Sequence, residues 1–521
     1  MSNIQTKPVP RRNLELVLLV VALGITMGAN WLVDMAAQNE AGQSFMIQGA
    51  VLGGFALVVH IVLRIWAKYA DPYILPIVVT LNGLGLAMIH RVDNAINADA
   101  ASSQLMYTGV AMAAAVITLW AIRDHRILRR GTYIFLAASV LLLLMPLLPG
   151  LGVEINGSRI WIALGPFTFQ PGEIAKITLA LFFAGYLSSN RDLILLAGRK
   201  IGPIQFPRFR DMGPMLIAWG VSIGVLVFQR DLGSSILFFG LFMAMIYVAT
   251  GRISWIVIGL SLVAVAAVFA VNFMSHVQLR VDAWINAFDP EVYNRQYGSS
   301  RQIVQGLFGL GTGGMTGTGL GEGSPRLVPL ANSDMIMAVF GEELGLIGVT
   351  AIVLLFVLLV SRGIRAALGT RDGFGKLLAT GLSFTIALQC FVVIGGVTRL
   401  IPLTGLTTPF MSAGGSALLS NWIIVALLLL VSHNARRPIT TAGPLTAEES
   451  QRVTEMNARS ALDATPEPHA VRTNLSRGAA AYLASSSSKK EESATGKGTS
   501  AGTDTVDPTP KPTPKTEGGD A

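Results

Sequence analysis

The stretch Ala331-Asn332-Ser333-Asp334-Met335-Ile336-Met337-Ala338 sets one carboxylate where a polar, glycine-rich segment of about 60 residues gives way to an apolar run. A carboxyl group partly shielded from water has its pKa raised towards neutrality, which suits it to accept a proton from a hydroxyl. Asp334 is therefore the first candidate for chemistry; plain solvation at a membrane surface is the alternative. About two helical turns further on, ~12 Å at 1.5 Å per residue, comes Gly341-Glu342-Glu343-Leu344-Gly345, whose glutamates are expected to bond to neighbouring helices.

Three other segments carry polar residues that would be costly in a membrane unless paired or open to a cavity. Asn156-Gly157-Ser158-Arg159-Ile160-Trp161-Ile162 puts Arg159, a bidentate donor to phosphate, beside Trp161, whose ring suits headgroup level; an aromatic-belt anchor has the same look. Gln170-Pro171-Gly172-Glu173-Ile174-Ala175-Lys176 opens a helix with Glu173 and Lys176 on one face, spaced to pair with each other and fix packing. Gln229-Arg230-Asp231-Leu232-Gly233-Ser234 is a tight charged turn between two apolar runs, with Asp231 free to pair with Lys176 or Arg159 across the bundle. Gly309 to Gly314 spells a dinucleotide fingerprint, but no βαβ unit surrounds it; its glycines are expected to give a compact, mobile loop.

The elements that must position these residues are membrane helices. Of 521 residues 52% are hydrophobic and 13% charged, and the mean hydropathy is +0.56. Runs long enough to cross a bilayer of roughly 30 Å fall at 14–34, 46–66, 72–90, 105–122, 131–148, 172–188, 213–229, 231–250, 252–273, 334–361, 375–397 and 411–432, about twelve helices, with no barrel-like alternation. Lys7, Arg11 and Arg12, then Lys68, then Arg123, Arg126, Arg129 and Arg130, then Arg191, Arg199, Lys200, Arg208 and Arg210, then Arg252, then Arg362, Arg365, Arg371 and Lys376 occupy alternate connections, which are expected to be cytoplasmic. The loops holding Asp34 and Glu40, Asp93, Glu154, the 231 turn and 275–333 then face outward.

The net charge of +8 is thus a topology signal, and without aromatic interleaving nucleic acid is no expected partner. Cys390, the only cysteine, lies in an apolar run and serves packing, which excludes disulfides and thiolate clusters. The first apolar run lacks a small-residue cleavage site and is read as a retained helix. The expected organisation is a cytoplasmic tail 1–13, two helices over 14–70, a core over 71–437 with a large outer loop 275–333, and a disordered cytoplasmic tail 438–521 rich in Ser, Thr, Lys and Pro.

An ordered series of motifs resembles the SEDS family of bacterial cell-wall synthesis (shape, elongation, division and sporulation), which includes RodA and FtsW. The series runs from Gly157-Ser158-Arg159 with Trp161, through Gly165-Pro166-Phe167-Thr168-Phe169-Gln170-Pro171 with Glu173 and Lys176, to Gln229 with Asp231-Leu232-Gly233. It continues with Arg280-Val281, Gln302, Gln305, Asp334, Gly341 to Gly345, and Pro402 through Pro409 to Ser412-Ala413-Gly414-Gly415-Ser416. The resemblance implies an all-α polytopic fold, a ten-helix core preceded here by two extra helices and broken by an outer loop before its long helix at 334. Gly396 to Gly405 is closer to the actinobacterial RodA branch, which points to elongation.

The family's essential acid, in His-Thr-Asp-Phe, falls on Asp334 within Asn332-Ser333-Asp334-Met335; Arg301, Val393 and Ala413 also depart from the family pattern. Implied substrate-binding residues are Arg159, Trp161, Glu173, Lys176, Asp231, Arg280, Gln302, Gln305, Ser412 and Ser416. The implied activity polymerises lipid II beside a class B penicillin-binding protein and other elongation or division machinery. Inverting transfer would need one base, Asp334, and a cation for the leaving diphosphate, chosen from Arg159, Lys176, Arg230, Arg280 and Arg399, with Arg159 preferred. No His or Asp cluster has ligand spacing, so no metal site is assigned, and a divalent cation, Mg or Mn, is left open. A lipid II flippase and a non-catalytic scaffold for a penicillin-binding protein are the competing readings.

Overall fold

The computed structural model describes residues 9–37, 44–155, 157–165, 167–196, 198–201, 204–207 and 209–438. Lys7, Glu40, Asn156, Pro166, Arg208 and the tail from 439 onward lie outside the described residues. The helices are α1 (Arg12–Ala36), α2 (Ser44–Trp66), α3 (Ile74–Ile96), α4 (Ala100–Ala121), α5 (Thr132–Leu144), α6 (Pro171–Leu196), α7 (Phe209–Phe228), α8 (Leu232–Thr250) and α9 (Ser254–Phe273). There follow α10 (Ser275–Ile285), α11 (Pro290–Tyr293), α12 (Arg301–Gly313), α13 (Ile336–Gly369), α14 (Gly373–Val397) and α15 (Gly415–Arg436).

All twelve apolar runs are helical, and 10 helices among the described residues are long and apolar enough to cross a membrane. The two others are α6, whose apolar run is diluted by Glu173 and Lys176, and α7, apolar over Gly213–Val225. Local chemistry sets their ends. Pro171 starts α6, where its missing N–H costs nothing. The Asp231 carboxylate caps α8 by accepting from Ser234 N at 2.9 Å, and Asp372 caps α14 by accepting from Gly375 N at 2.6 Å.

The most buried helices are α3, α14 and α15, whereas α9 turns nearly all its surface outward. With no hydrophobic drive between helices in lipid, buried polar bonds specify the packing. Trp422 Nε1 donates to Asn82 Oδ1 at 3.1 Å, joining α15 to α3. Gln104 on α4 donates to Ser412 O at 3.2 Å and accepts from Gly414 N at 3.0 Å. The first helix is fastened at both ends: Glu15 bonds Arg12 and His60, and Asp34 bonds His90 at 2.7 Å.

Two features depart from the sequence reading. Residues expected as plain loop form an antiparallel sheet of β1 (Gly152–Ile155), β2 (Ser158–Leu164) and β3 (Phe167–Phe169), with Trp161 opposite Val153 and Ile162 opposite Phe169; β4 (Gly198–Ile201) and β5 (Ile204–Pro207) form a separate hairpin. These short strands gave no periodic signal over the few residues available.

The glycine-rich stretch, expected to form a compact, mobile loop, is compact, but Gly309 to Gly313 are the last turns of α12 and not a loop. Gly345, at φ +66° and ψ −172°, breaks α13, and the segment after α12 fills the break. Leu346 N and Ile347 N, robbed of helical partners, donate to Gly314 O and Met315 O at 2.9 and 3.1 Å. Glu342 O and Glu343 O accept from Thr318 N and Gly319 N, each at 3.0 Å. Non-helical backbone inside an apolar helix of membrane length is tolerated where protein satisfies the freed groups, as it does these four. The close approach demands glycine: a Cβ on Gly317 would meet Glu343 O at 2.2 Å, and one on Gly345 would meet Gly317 N at 2.3 Å.

Candidate active site

Asp334 occupies the turn between Leu330 and α13, where Ser333 N donates to Leu330 O at 3.0 Å. It is only 5% exposed. From α12, Gln302 Nε2 donates to Asp334 Oδ1 at 2.9 Å. Burial pushes the Asp334 carboxyl up to about 6, against the pull of the Gln302 hydrogen bond, nearby backbone N–H groups and the Arg280 charge. A carboxylate so placed is ionised near neutrality yet basic enough to take a hydroxyl proton.

Arg280 on α10 is the cation whose charge acts on Asp334. Its Nη1 donates to Thr404 O at 2.9 Å and to Leu403 O at 3.4 Å. Burial lowers its pKa, while Asp231 and then Asp334 raise it, so one guanidinium serves two carboxylates. Asp231, pushed up by burial and held down by Ser234 and Arg280, makes no hydrogen bond or ion pair with Lys176 or Arg159 among the described residues. Its cation is Arg280, a partner 49 positions away that no local pattern announces.

The connection from α14 to α15 frames the acid. Ser412 Oγ donates to Ser333 O at 2.6 Å while accepting from Thr408 N at 2.8 Å, and Ala413 N donates to Asn332 O at 2.8 Å. Ser416 Oγ accepts from Gln170 N at 2.9 Å, tying in the start of α6. Deeper, Glu173 and Lys176 form the expected ion pair at 2.6 Å. Ser420 Oγ donates to Glu173 Oε2 at 2.7 Å, and Lys176 Nζ donates to Gln389 Oε1 at 3.3 Å. Gln389 Nε2 in turn donates to Thr407 O at 2.8 Å, so the buried pair reaches the connection that holds Asp334.

Arg159 and Trp161 lie on β2. The backbone N–H of Arg159 donates to Gln229 O at 3.4 Å and Ser158 Oγ to Arg230 O at 3.4 Å, which sets the sheet against the α7–α8 turn. Gln305 does not reach the acid; its Nε2 donates to Tyr293 Oη at 2.8 Å and fastens α11 to α12. Glu343 bonds Arg91 Nε on α3 at 2.9 Å as expected of a neighbouring helix, but Glu342 and Glu343 also accept from Ser324 N and Gly321 N of the segment between α12 and α13, at 3.0 and 2.8 Å. Sequence reasoning passed over Gln389, Ser333 and Tyr293. A glutamine inside the apolar run 375–397 was the available signal for the first. No group of three or more His, Cys, Asp or Glu able to hold a metal occurs among the described residues.

A bundle of apolar helices closing over a near-neutral carboxyl and an arginine defines a polytopic membrane enzyme. Residues 72–437 match the FtsW/RodA/SpoVE family, described as Cell cycle protein. The chain is 47% identical over 457 residues to the peptidoglycan glycosyltransferase RodA of Mycobacterium tuberculosis, spanning 85% of this chain and 96% of that one. It is 44% identical over 442 residues to RodA of Mycobacterium leprae (83% and 93%) and 34% identical over 385 residues to stage V sporulation protein E of Bacillus subtilis (71% and 99%). A solved chain described under "Structural coordination of polymerization and crosslinking by a peptidoglycan synthase complex" superposes with a TM-score of 0.55 at 25% identity, over 70% of this chain and 98% of that one. The chain belongs to the SEDS family and is a peptidoglycan glycosyltransferase of the actinobacterial RodA type, acting in shape maintenance or division.

Proposed function

We propose that this multi-pass membrane protein polymerises lipid II at the outer face of the cytoplasmic membrane, with both termini cytoplasmic, and that residues 71–437 are the catalytic core. The observation that carries the residue assignment is the buried Asp334 carboxyl, at about 6, bonded to Gln302 and facing the Arg280 charge. Asp334 takes the proton of the acceptor 4-hydroxyl as that oxygen attacks the anomeric carbon; the bond to the lipid diphosphate breaks with its electron pair, and the configuration inverts. One carboxylate suffices, because inversion needs no covalent sugar intermediate. Gln302 holds the base, and Ser412 holds the backbone on which it sits.

Arg159 and Trp161 on the sheet, with Arg280, line the outer rim where an anionic leaving group is stabilised. Glu173, Lys176 and Ser416 support the rim from below, Asp231 shares Arg280 with the base, and Gln305 orders α11. A class B penicillin-binding protein is the proposed crosslinking partner, on the strength of the solved relative described by coordinated polymerisation and crosslinking. A transporter would use a broken helix to bind its cargo, whereas the break in α13 has the freed backbone groups at Glu342, Glu343, Leu346 and Ile347 consumed by the protein itself.

The test is polymerisation of purified lipid II by the reconstituted chain and its transpeptidase partner, with moenomycin silencing classical glycosyltransferases. Wild type is expected to make long strands and Asp334→Asn none, while both bind the partner. Equal product from the two removes Asp334 as the base.

A further inference from the structure

Outside the groups assigned so far, one imidazole stands in a cationic neighbourhood at the outer rim. His276 lies on α10, four residues before Arg280, and so on the same face of that helix. Withdrawal from water, and then the charges of Arg230 from the α7–α8 turn and of Arg280, push its pKa down. Asp231, next in the chain after Arg230, is committed to Ser234 N and to the Arg280 charge.

Donor capacity remains at this rim. Among the described residues Arg280 donates through Nη1, to Thr404 O and Leu403 O, which leaves the other nitrogens of its fork. Arg230 has left-handed backbone at φ +58°, its carbonyl accepts from Ser158 Oγ, and its side chain is exposed. Two arginines acting on a neutral imidazole, one of them anchored, repel a third positive charge but attract an anion with several oxygens. When such an anion arrives, it offsets the repulsion and favours the protonated ring.

We propose that Arg230, His276 and Arg280 form a seat for the diphosphate ester of the donor, in which His276 takes up a proton as the diphosphate binds. The inference rests on the reading of a lipid diphosphate as leaving group and adds a residue and a proton that this reading did not contain. The ring is neutral in the free protein near neutrality, gains one proton from solvent on binding, and then donates N–H to a phosphate oxygen. Release of the diphosphate returns the proton, so no net proton is consumed per turnover. The seat is thus weak for neutral sugars and strong for the charged leaving group.

The test is titration calorimetry of the full chain in neutral-lipid nanodiscs with farnesyl diphosphate near neutral pH, in two buffers of different ionisation enthalpy. Wild type is expected to show a buffer-dependent enthalpy equivalent to uptake of a substantial fraction of one proton. His276→Gln should abolish the buffer dependence and weaken binding about ten-fold, the scale of one charge-assisted hydrogen bond. His276→Arg should bind well with no buffer dependence.

Proton uptake that persists in His276→Gln, absence of uptake in wild type, or no binding of farnesyl diphosphate overturns the seat. So does equal occupancy by phosphatidylglycerol, which would make it a general lipid-phosphate site. Lipid II polymerisation measured on the same preparations separates the two readings. Activity with no proton uptake removes only the His276 seat, while loss of polymerisation in wild type strikes the underlying assignment.

Discussion

Gln302 offers the sharpest perturbation of the proposed base, because its bond to Asp334 Oδ1 acts on the charged form alone. Gln302→Leu keeps most of the side-chain volume and removes the donor. A hydrogen bond to a charged group is worth about 1.5–3 kcal/mol, and about 1.4 kcal/mol is one pKa unit, so complete loss would move Asp334 upward by about 1–2 units. Backbone N–H groups and Arg280 remain to absorb part of this, which leaves about one unit, from about 6 towards about 7. Since the base works ionised, the active fraction near pH 6 falls from about one half to about one tenth, while near pH 8 both proteins stay more than about 90% ionised. The assay is initial-rate lipid II polymerisation across this range with the partner present. The expected signature is a five-fold or so deficit at the acid end that closes at the alkaline end. A deficit constant in pH would mean that Gln302 contacts substrate instead of tuning Asp334. An unmoved acid limb with a clear loss of rate would mean that another group titrates.

Asp334→Asn should also alter stability with pH. The folded carboxyl at about 6 binds its proton more tightly than an ordinary one at 3.8, so wild type gains stability as pH falls through that window, by up to about 3 kcal/mol; unfolding in detergent near pH 7.5 and near pH 4.5 should show a gain that the Asn variant lacks. Asp372, which burial pushes up but the bonds from His125 and Gly375 N with the His125 and Arg126 charges together hold down to about 2, acts with the opposite sign and loses its contribution only below 3.8. Lys176→Met leaves Glu173 buried without its cation and should cost about 3–5 kcal/mol by thermal unfolding, whereas Glu173→Gln with Lys176→Met should recover most of it; equal destabilisation in both would deny the pair. Gly345→Ala should fail to accumulate in membranes, because φ +66° and Gly317 N at 2.3 Å leave no room, while Gly311→Ala, helical with open space around it, should be neutral or stabilising by up to about 1 kcal/mol; equal yields would remove the close-approach argument.

These perturbations also show what a single chain discloses. Helices were legible because apolar runs of membrane length have few other solutions, and Glu173 with Lys176 was legible because three residues on a helix fix a face. The Asp334 carboxylate was legible as a charge at the mouth of an apolar run. Its environment was not: Gln302 lies 32 positions upstream and Ser412 79 positions downstream of the residues they hold, and only packing brings them together. The misreading of Asp231 has the same origin, since Arg280 reaches it from α10. The glycine stretch was misread as a loop for a different reason. Glycine permits flexibility and also permits backbone contact, and which use it serves depends on whether a second backbone, here the broken turn of α13, comes within reach.

The connection from α14 to α15 is where these separate facts meet. Its carbonyls at Leu403 and Thr404 hold Arg280, its carbonyl at Thr407 is held by Gln389, and Ser412 and Ala413 bond the two residues before Asp334. The distance between base and cation is therefore fixed by one extended segment, whose inner tether runs to the Lys176 ammonium. This accounts for a site built on connections yet able to keep a carboxyl near neutrality: the segment is short of slack, since backbone carbonyls and serine hydroxyls along it are engaged on both sides. It follows that Gln389→Leu, which frees Thr407 O while leaving every residue at the rim in place, should widen the range of Asp334–Arg280 separations. The measurable consequence is a broadened acid limb in the pH profile with KM for lipid II little changed. A fall in substrate affinity with an unaltered limb would show instead that the segment binds substrate and leaves the base to itself.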